Sequence, residues 1–386
     1  GATDANFAVE AIGTQFRNFE GYLKTGSSTW TLTGTTAAVT PWVIKEGTLS
    51  ISSDAHLGAT SAAPTLEGGM LLSPASIATD LSPVVTFDGG TLRSTADMES
   101  GRSLVLGPGG GTLLQDPGTT LALDGAISGT GSLAKTGEGT LVLSGANTYA
   151  GDATIAAGTL RTGAADTLSA ASRHAVASGA TLDLAGFNQT VGGLANAGLV
   201  NMGTGTAPGT VLTVVGNYVG NGGTIAMNTV LGGDSSPTDR LVIDGGSASG
   251  STVLRFTNVG GTGAQTVQGI RVVQATNGAS TTPGAFGLGP YRYTAGAYEY
   301  LLVRKGQDWF LTSQLDGGGT CETDCTPIYR PETPVYATIP AMARSLGLAM
   351  LGTLHERVGE EENIRGSAPS RNHLNGTWGR VIAERQ

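Results

Sequence analysis

One short repeat limits what this sequence can fold into. A triplet of Gly, Thr and an aliphatic residue recurs at intervals of mostly about 20 residues or small multiples of that spacing, which is the range expected of stacked-coil architectures. Apolar residues alternate around the triplets, as at Leu141 and Leu143. This alternation predicts strands with one buried face. The triplets begin at Gly47, Gly90, Gly111, Gly139, Gly158, Gly209 and Gly223.

A longer repeat supports the same interpretation. Residues 24–49 align without gaps on residues 135–160, and ten of the 26 positions are identical, with Lys-Thr-Gly at the start and Gly-Thr-Leu at the end. A coil of this size cannot cover its own inward aliphatic side chains, so its stability must come from stacking on the next coil. We therefore predict an all-β fold, a right-handed parallel β-helix. A flat β-sandwich is the alternative, because its strand spacing is similar.

The corners of such a solenoid need sharp bends. Gly reaches positive φ without steric cost, and Asn is the other residue that we expect at these positions. The sequence places Asn147, Asn188, Asn217 and Asn221 where corners are predicted.

The composition excludes two classes of protein. Gly accounts for 62 of the 386 residues and charged residues for only 13%, but 39% of the chain is hydrophobic, which is unlike a disordered chain. The net charge is -9, with four Lys against 17 Arg and no basic run. The sequence therefore argues against nucleic acid as a partner.

No catalytic, cofactor-binding or metal-binding set emerges from the sequence. His355 and Glu356 begin a zincin-like pattern, but Gly359 stands where the second His is required. The Gly-rich stretches lack the Lys-Ser/Thr of a phosphate-binding loop and are interpreted as turns. His56 and His174 are expected on the coil surface. We predict no cofactor and no enzymatic activity within this chain.

Aromatic residues are concentrated near one end of the repeats. Six lie within 20 residues, and each buries about 150–250 Å² when packed. This predicts a stable cap that covers the last coil, which would otherwise expose open strand edges. Whether the cap also nucleates folding or only closes the end is left open at this stage. The aromatic residues are Tyr291, Tyr293, Tyr298, Tyr300, Trp309 and Phe310.

The pattern changes after the aromatic segment. Gly317–319 and three prolines predict a linker. Within it, Cys321 and Cys325 are close enough to form a disulfide in an oxidising compartment. Zinc is the competing interpretation, but no second Cys or His pair lies nearby.

Beyond the linker the apolar period becomes helical. Pro340 suits a helix start and Gly359 a helix end. Charged residues interrupt the segment, so it suits a protein-lined, watery pore better than lipid, and a helix docked on the solenoid is the alternative. The predicted apolar face consists of Met342, Leu346, Met350, Leu354 and Val358.

Several of these segments resemble parts of bacterial autotransporters. Residues 135–149, continuing to 158–160, resemble the passenger-associated repeat of that family. Residues 210–313 resemble its pertactin-like carboxy-terminal passenger region. Residues 329–334, 346–359 and 375–380 are similar, in order, to its linker, pore helix and first barrel strand.

The resemblance implies a self-exporting surface protein with five regions. Its implied partners are its own β-barrel translocator in the outer membrane, the barrel-assembly machinery, periplasmic chaperones and a host surface ligand. The chain would nucleate β-helix folding and display an adhesin, or form the stalk of a secreted protease or lipase encoded upstream. The regions are passenger coils at 1–205, an autochaperone-like cap at 206–315, the linker at 316–336, the pore helix at 337–362 and the start of a barrel at 363–386.

Overall fold

A computed structural model describes residues 2–58, 63–73, 84–203, 205–315 and 326–351. The chain divides into two compact units, Gly1–Ile328 and Tyr329–Gln386. Among the described residues, the first unit contains all the strands and two short 3-10 helices, Val9–Ala11 and Asp54–Leu57. The described part of the second unit contains one helix, α1 (Thr333–Leu351).

The strands follow one another along the chain with short connections. The first eleven are β1 (Ala5–Ala8), β2 (Tyr22–Lys24), β3 (Thr29–Thr33), β4 (Trp42–Ile44), β5 (Thr48–Ser50), β6 (Thr65–Leu66), β7 (Met70–Ser73), β8 (Val85–Phe87), β9 (Thr91–Ser94), β10 (Met98–Ser100) and β11 (Leu104–Leu106). The next eleven are β12 (Gly111–Gln115), β13 (Thr120–Leu123), β14 (Ile127–Gly129), β15 (Leu133–Thr136), β16 (Thr140–Leu143), β17 (Ala153–Ile155), β18 (Thr159–Thr162), β19 (Arg173–Val176), β20 (Thr181–Asp183), β21 (Gln189–Val191) and β22 (Gly193–Asn196). The remainder are β23 (Leu199–Asn201), β24 (Val211–Val214), β25 (Tyr218–Thr229), β26 (Arg240–Asp244), β27 (Ser247–Asn258), β28 (Ile270–Thr276), β29 (Ser280–Thr281), β30 (Phe286–Gly287), β31 (Tyr293–Ala295), β32 (Tyr298–Lys305) and β33 (Asp308–Thr312).

Pairing of these strands forms a parallel β-solenoid, as the repeat predicted. Each strand pairs in parallel with the strand about one coil later, so that β9 pairs with β12 and β12 with β15. Strands of one face run from β1 through β3, β5 and β7 to β27 and β29, and a second face runs from β10 through β13 and β16 to β27 and β30. The third face consists of β2, β4, β6, β8, β11 and β14 and, later in the chain, of β21, β24, β26 and β28.

The aliphatic residues of the repeat form continuous buried ladders. Leu121 is paired with Leu141, Leu141 with Leu160, and Leu160 with Leu182. All four side chains are buried. Six of the seven triplets bury their third residue; the exception is the triplet at Gly209, where Thr210 is buried instead of Val211. Each inward residue is therefore covered by the coils above and below it, which is the source of stability in a solenoid.

The four asparagines do not adopt the positive φ that was predicted for them. None of them has positive φ; the non-glycine residues that do among the described ranges are Asn18, Asp166, Ala185 and Asn277. Asn147, Asn188 and Asn217 instead accept a backbone N–H from a neighbouring coil through their side-chain oxygens. Their side chains connect coils, so the prediction of left-handed corners at these positions was wrong.

Two side-chain amides bridge a part of the third face that lacks regular strands. Between β14 and β21, the Asn147 amide accepts the Ile127 N–H at 2.7 Å and donates to the Thr167 carbonyl at 2.6 Å. The Gln189 side chain accepts the Thr167 and Leu168 N–H groups at 2.9 and 3.0 Å. These amides satisfy backbone groups that would otherwise be buried without partners.

Both histidines that we expected on the surface are buried. His174 is 1% exposed and its Nε2 lies 3.3 Å from the Tyr149 hydroxyl, while His56 is 8% exposed. Burial lowers the pKa of His174 to about 4 and raises that of Tyr149. The surface prediction was wrong because His174 occupies an inward position of β19, where the hydroxyl of Tyr149 provides its polar partner.

Helix α1 starts earlier than its sequence indicated. It begins at Thr333, and Pro340 lies inside it rather than at its start. Pro334 occupies the first turn, where the missing N–H has no intrahelical partner to lose. Met342, Leu346 and Met350 are each exposed by 63–66%. No helix in the described ranges combines the length and apolarity needed to cross a membrane.

Candidate functional site: the cap and the buried lysines

The solenoid ends in antiparallel strands. Strand β28 is the last strand of the third face and pairs in antiparallel register with β33, which forms a hairpin with β32; β32 also pairs with β31. The hairpin turn places Val303 opposite Phe310 and Lys305 opposite Asp308. The parallel stacking of coils therefore stops here, and the last third-face strand is covered by a locally folded hairpin instead of another coil.

Three of the six aromatic residues of the predicted cap are buried in this end. Tyr293, Tyr300 and Trp309 are buried, whereas Tyr291 is 47% exposed and Phe310 is only partly buried. The Trp309 ring contacts Phe286 edge-on at 5.5 Å between centroids, and Phe286 stacks on Tyr218 at 5.5 Å. This aromatic cluster joins the hairpin to the coils of β25 and β27.

Each buried aromatic with a polar atom also makes a hydrogen bond to an earlier coil. The Tyr293 hydroxyl accepts the Phe256 N–H at 3.1 Å. The Tyr300 hydroxyl accepts the Ala264 N–H at 3.0 Å and lies 2.9 Å from the Gly232 carbonyl. Trp309 Nε1 donates to the Thr281 hydroxyl at 3.1 Å. Burial raises the pKa of both tyrosines, so the hydroxyls remain protonated donors at neutral pH.

Two aspartates organise the loops beneath the cap. The Asp234 carboxylate accepts three consecutive N–H groups, those of residues 267–269, at 2.7–2.9 Å. Asp239, which is fully buried, accepts the N–H groups of Gly209, Thr210 and Asn228. Burial raises the pKa of Asp239, and its N–H donors oppose this shift. These carboxylates replace regular strand pairing where the loops are long.

Two buried lysines form a second site that sequence reasoning missed. Lys135 is 1% exposed, and its ammonium donates to the carbonyls of Thr136, Gly137 and Ala157 at 2.9, 2.7 and 3.1 Å. Lys24 is fully buried and binds the carbonyls at the same three relative positions, at 3.2, 2.8 and 3.1 Å. The shared Lys-Thr-Gly signature of the long repeat could have indicated this site.

The repeated lysine site does not depend on one face of the solenoid. Lys24 lies in β2 of the third face, whereas Lys135 lies in β15 of the first face. Gly26 and Gly137 have φ of +75° and +72°, which turns their carbonyls toward the ammonium. Burial lowers the pKa of Lys135 to about 8, and that of Lys24 is also lowered. The same arrangement, a buried lysine ammonium bound by three backbone carbonyls, therefore occurs on two different faces of the solenoid.

The sequence analysis placed the aromatic residues mainly in the cap, but aromatic side chains also pack together elsewhere. A second group lies at the amino-terminal coils, where Phe7 contacts both Trp30 and Trp42, and Tyr22 contacts Trp42. Trp42 is 1% exposed. These aromatics are spaced widely along the sequence and come together only through stacking, so their sequence density did not reveal the group.

Three remaining predictions fall on residues outside the described ranges. They concern the Cys321 and Cys325 pair, the last two positions of the helix face, Leu354 and Val358, and the predicted start of a barrel at 363–386. Within the described ranges, no group of three or more His, Cys, Asp or Glu residues is arranged to hold a metal ion.

Two protein-family models match the segments that contain the cap and the buried lysines. Residues 191–302 match the family described as Autochaperone Domain Type 1. Residues 23–51 and 133–161 match the Passenger-associated-transport-repeat, and these two segments contain Lys24 and Lys135. The autochaperone match includes Tyr293 and Tyr300 and ends before Trp309.

Relatives extend the match to nearly the whole chain. The chain is 36% identical to the Adhesin BmaC autotransporter of Brucella suis biovar 1 (strain 1330), over 99% of this chain and 11% of that protein. It is 40% identical to the Autotransporter adhesin AIDA-I of Escherichia coli, over 36% of this chain and 10% of that protein. The uncharacterized protein YdeU of Escherichia coli (strain K12) is 39% identical over 43% of this chain and 39% of its own length. The chain thus spans about a tenth of the length of the two named adhesins.

A parallel solenoid with an antiparallel cap and these two modules defines the class of secreted β-helical passengers. The chain belongs to the autotransporters, as part of the passenger that carries the autochaperone domain. Autotransporter adhesins are proteins of the bacterial outer membrane and cell surface, and the chain has that location.

Proposed function

We propose that the region 206–315 nucleates folding of the β-helix during self-secretion across the outer membrane, and that the coils before it display an adhesin at the cell surface. The observation that carries the proposal is the change from parallel to antiparallel pairing at β28. The parallel strands pair residues that lie 18 or more positions apart in the sequence, whereas the hairpin pairs Val303 with Phe310. Nearby pairings close shorter loops and therefore form first.

The buried aromatics supply the stability that a nucleus needs. Truncating a fully buried Trp to Ala costs about 3–5 kcal/mol, and Trp309 lies in an aromatic cluster that spans β25 to β33. The cluster also fixes the edges of β27 and β29 through Thr281. An end that is stable on its own can serve as the template on which the preceding coil stacks.

The helix and the partners form a second part of the proposal. We infer that α1 enters the pore of a β-barrel translocator, because its apolar side chains Met342, Leu346 and Met350 are exposed in the described part of the chain. The barrel-assembly machinery and periplasmic chaperones would handle the chain during export. The displayed coils would bind a host surface ligand and would have no enzymatic activity of their own, in keeping with the adhesin names of the relatives.

A pair of matched tryptophan variants tests nucleation. Trp309→Ala and Trp42→Ala each remove one buried indole, but from opposite ends of the solenoid. If the cap nucleates, Trp309→Ala should reduce surface display of the passenger severalfold and leave it sensitive to protease, while Trp42→Ala should leave display near normal. Tyr293→Ala, paired with Leu49→Ala, provides a second comparison.

The outcome separates nucleation from simple capping. If the two tryptophan variants are displayed equally and lose equal thermal stability in the purified chain, the cap only covers the last coil and does not nucleate folding. Display should be measured in cells that express the full-length autotransporter, by surface labelling before and after protease treatment.

A further inference from the structure

A cavity of about 290 Å³ lies beside the cap, between the loop that contains Asp234 and the strands β26 and β28. Its volume lies just below the range for ligand pockets, about 300–1,000 Å³, so it suits a small ligand. Its walls carry two guanidinium groups, three hydroxyl-bearing side chains and one aromatic ring. The lining includes Asp234, Ser235, Ser236, Arg240, Arg271 and Phe310.

Both arginines retain unused donors. Within the described ranges, Arg240 makes one hydrogen bond, from Nη1 to Gln274 Oε1 at 3.2 Å. Arg271 likewise makes one there, from Nη1 to Asp308 Oδ2 at 3.3 Å. A guanidinium has five N–H donors. Because Arg240 Nε is buried, the donors of that side chain left for a ligand are its remaining Nη N–H groups. Among the described residues, Arg240 has no carboxylate partner.

Asp234 lines the cavity and Asp308 pairs with Arg271 at 3.3 Å, so two carboxylates stand against the three cations Arg240, Arg271 and Lys305. Asp234 is held by the three backbone N–H groups of residues 267–269, and both its oxygens are engaged. Lys305 adds a further positive charge at the rim, where its ammonium binds the Gln268 carbonyl at 2.9 Å. In a chain with a net charge of -9, this is a local site for an anion.

The uncharged residues of the cavity indicate which kind of molecule bears the anionic group. The hydroxyls of Ser235 and Ser236 make no hydrogen bond to any described residue, so they can pair with ligand hydroxyls. The Phe310 ring is partly exposed on the cavity side, and the Lys305 ammonium lies 5.8 Å from its centroid. An apolar ring beside free hydroxyls and forked donors suits the face and edges of a sugar that bears a tetrahedral oxyanion.

We propose that this cavity binds a saccharide carrying a sulfate or phosphate monoester, with the oxyanion between Arg240 and Arg271 and the sugar against Phe310. The site lies beyond the nucleation role, since none of its arginines contributes to the aromatic cluster. Sulfate and phosphate share the recognising chemistry, so the test includes both.

Isothermal titration calorimetry of the full chain can test the site with glucose 6-sulfate, glucose 6-phosphate, glucose and inorganic sulfate. We expect both charged sugars to bind, the tighter of the two identifying the natural oxyanion, and glucose to bind at least tenfold more weakly. Arg240→Gln and Arg271→Gln should each weaken binding at least tenfold. Arg255→Gln, an exposed arginine outside the cavity, is the matched control and should bind as the parent does.

Three results would overturn the proposal. Failure of both charged sugars to bind at millimolar concentration would remove the site. Equal weakening by Arg255→Gln would reduce the effect to general charge attraction. If inorganic sulfate binds as tightly as glucose 6-sulfate, the sugar does not contribute to binding and the ligand is not a saccharide. A thermal melt of each variant confirms that the fold is intact, and unchanged display by Arg240→Gln separates this site from nucleation.

Discussion

Replacing Lys135 with Met tests the buried ammonium most directly. Methionine keeps the length and burial of the side chain but leaves three inward carbonyls, those of Thr136, Gly137 and Ala157, without their donor. Each unsatisfied buried acceptor costs about 1–3 kcal/mol. At about 2 kcal/mol for each of the three carbonyls, the loss is about 6 kcal/mol. The substitution also removes the penalty of burying a charge.

The size of that penalty follows from the pKa. Burial lowers the pKa of Lys135 from 10.5 to about 8, and a shift of this size corresponds to about 3 kcal/mol. The net expectation for Lys135→Met at pH 7 is therefore a loss of about 3 kcal/mol in the free energy of unfolding. Guanidinium denaturation of the full chain, followed by far-UV circular dichroism, measures it.

The same pKa sets a pH dependence. Because the folded pKa lies below the unfolded one, the unfolded chain holds the proton more tightly between pH 8 and 10.5, and native stability rises with pH across this window. Lys135→Met lacks this rise, so its deficit relative to the parent should widen as pH increases. Groups that titrate in both proteins cancel in the difference.

An exposed lysine supplies the control. Lys45 is about half exposed and pairs with Glu67 at 3.1 Å, so Lys45→Met should cost no more than about 1 kcal/mol. Lys24→Met should behave like Lys135→Met, since its ammonium binds the same three relative positions. If Lys135→Met costs no more than Lys45→Met, or its deficit stays constant from pH 7 to 10, the role assigned to the ammonium is refuted.

Three further variants test other parts of the solenoid. The pKa of His174 is lowered to about 4, so the parent should lose about 2–3 kcal/mol as pH falls from 6.5 to 4.5, because the unfolded chain is protonated first; His174→Phe should lack that slope in denaturation midpoints. Asn147→Ala should cost about 1–3 kcal/mol and speed amide hydrogen exchange at Ile127, and unchanged exchange would contradict the bridging role. At Gly137, where φ is +72°, an added Cβ would collide with the Gln115 carbonyl oxygen, whereas at Gly179 φ is +84° but the space is open. Gly137→Ala should therefore lower the thermal midpoint more than Gly179→Ala, and equal effects would show that only the backbone conformation matters.

The sequence was sufficient for the features that depend on spacing. The period of about 20 residues predicted parallel stacking, because every inward aliphatic such as Leu141 must meet its equivalent one coil later. The dense aromatics around Tyr293 and Trp309 predicted a closed end. Periodic burial is a property of the chain itself, so it can be inferred without knowing which residues meet.

Features that depend on a distant partner could not be inferred. Lys135 is a surface residue by type, and its burial depends on the carbonyl of Ala157 in the next coil. His174 needs Tyr149, and Asn147 needs backbone groups on both sides. Polar residues in this fold were expected outside or at corners, and the stacking instead gives them partners inside.

The buried polar groups also bear on the proposed order of folding. Lys135 binds Ala157, and Lys24 binds Glu46, so in both repeats the distant acceptor belongs to the coil on the carboxy-terminal side. If coils stack on a carboxy-terminal nucleus, this acceptor is already in place when the lysine arrives, and the ammonium exchanges water for carbonyls in one step. Growth from the other end would complete the coil of Lys135 before its third acceptor existed and would leave a desolvated charge only partly paired, which is costly. The direction of the lysine contacts thus supports growth from the cap toward the amino terminus.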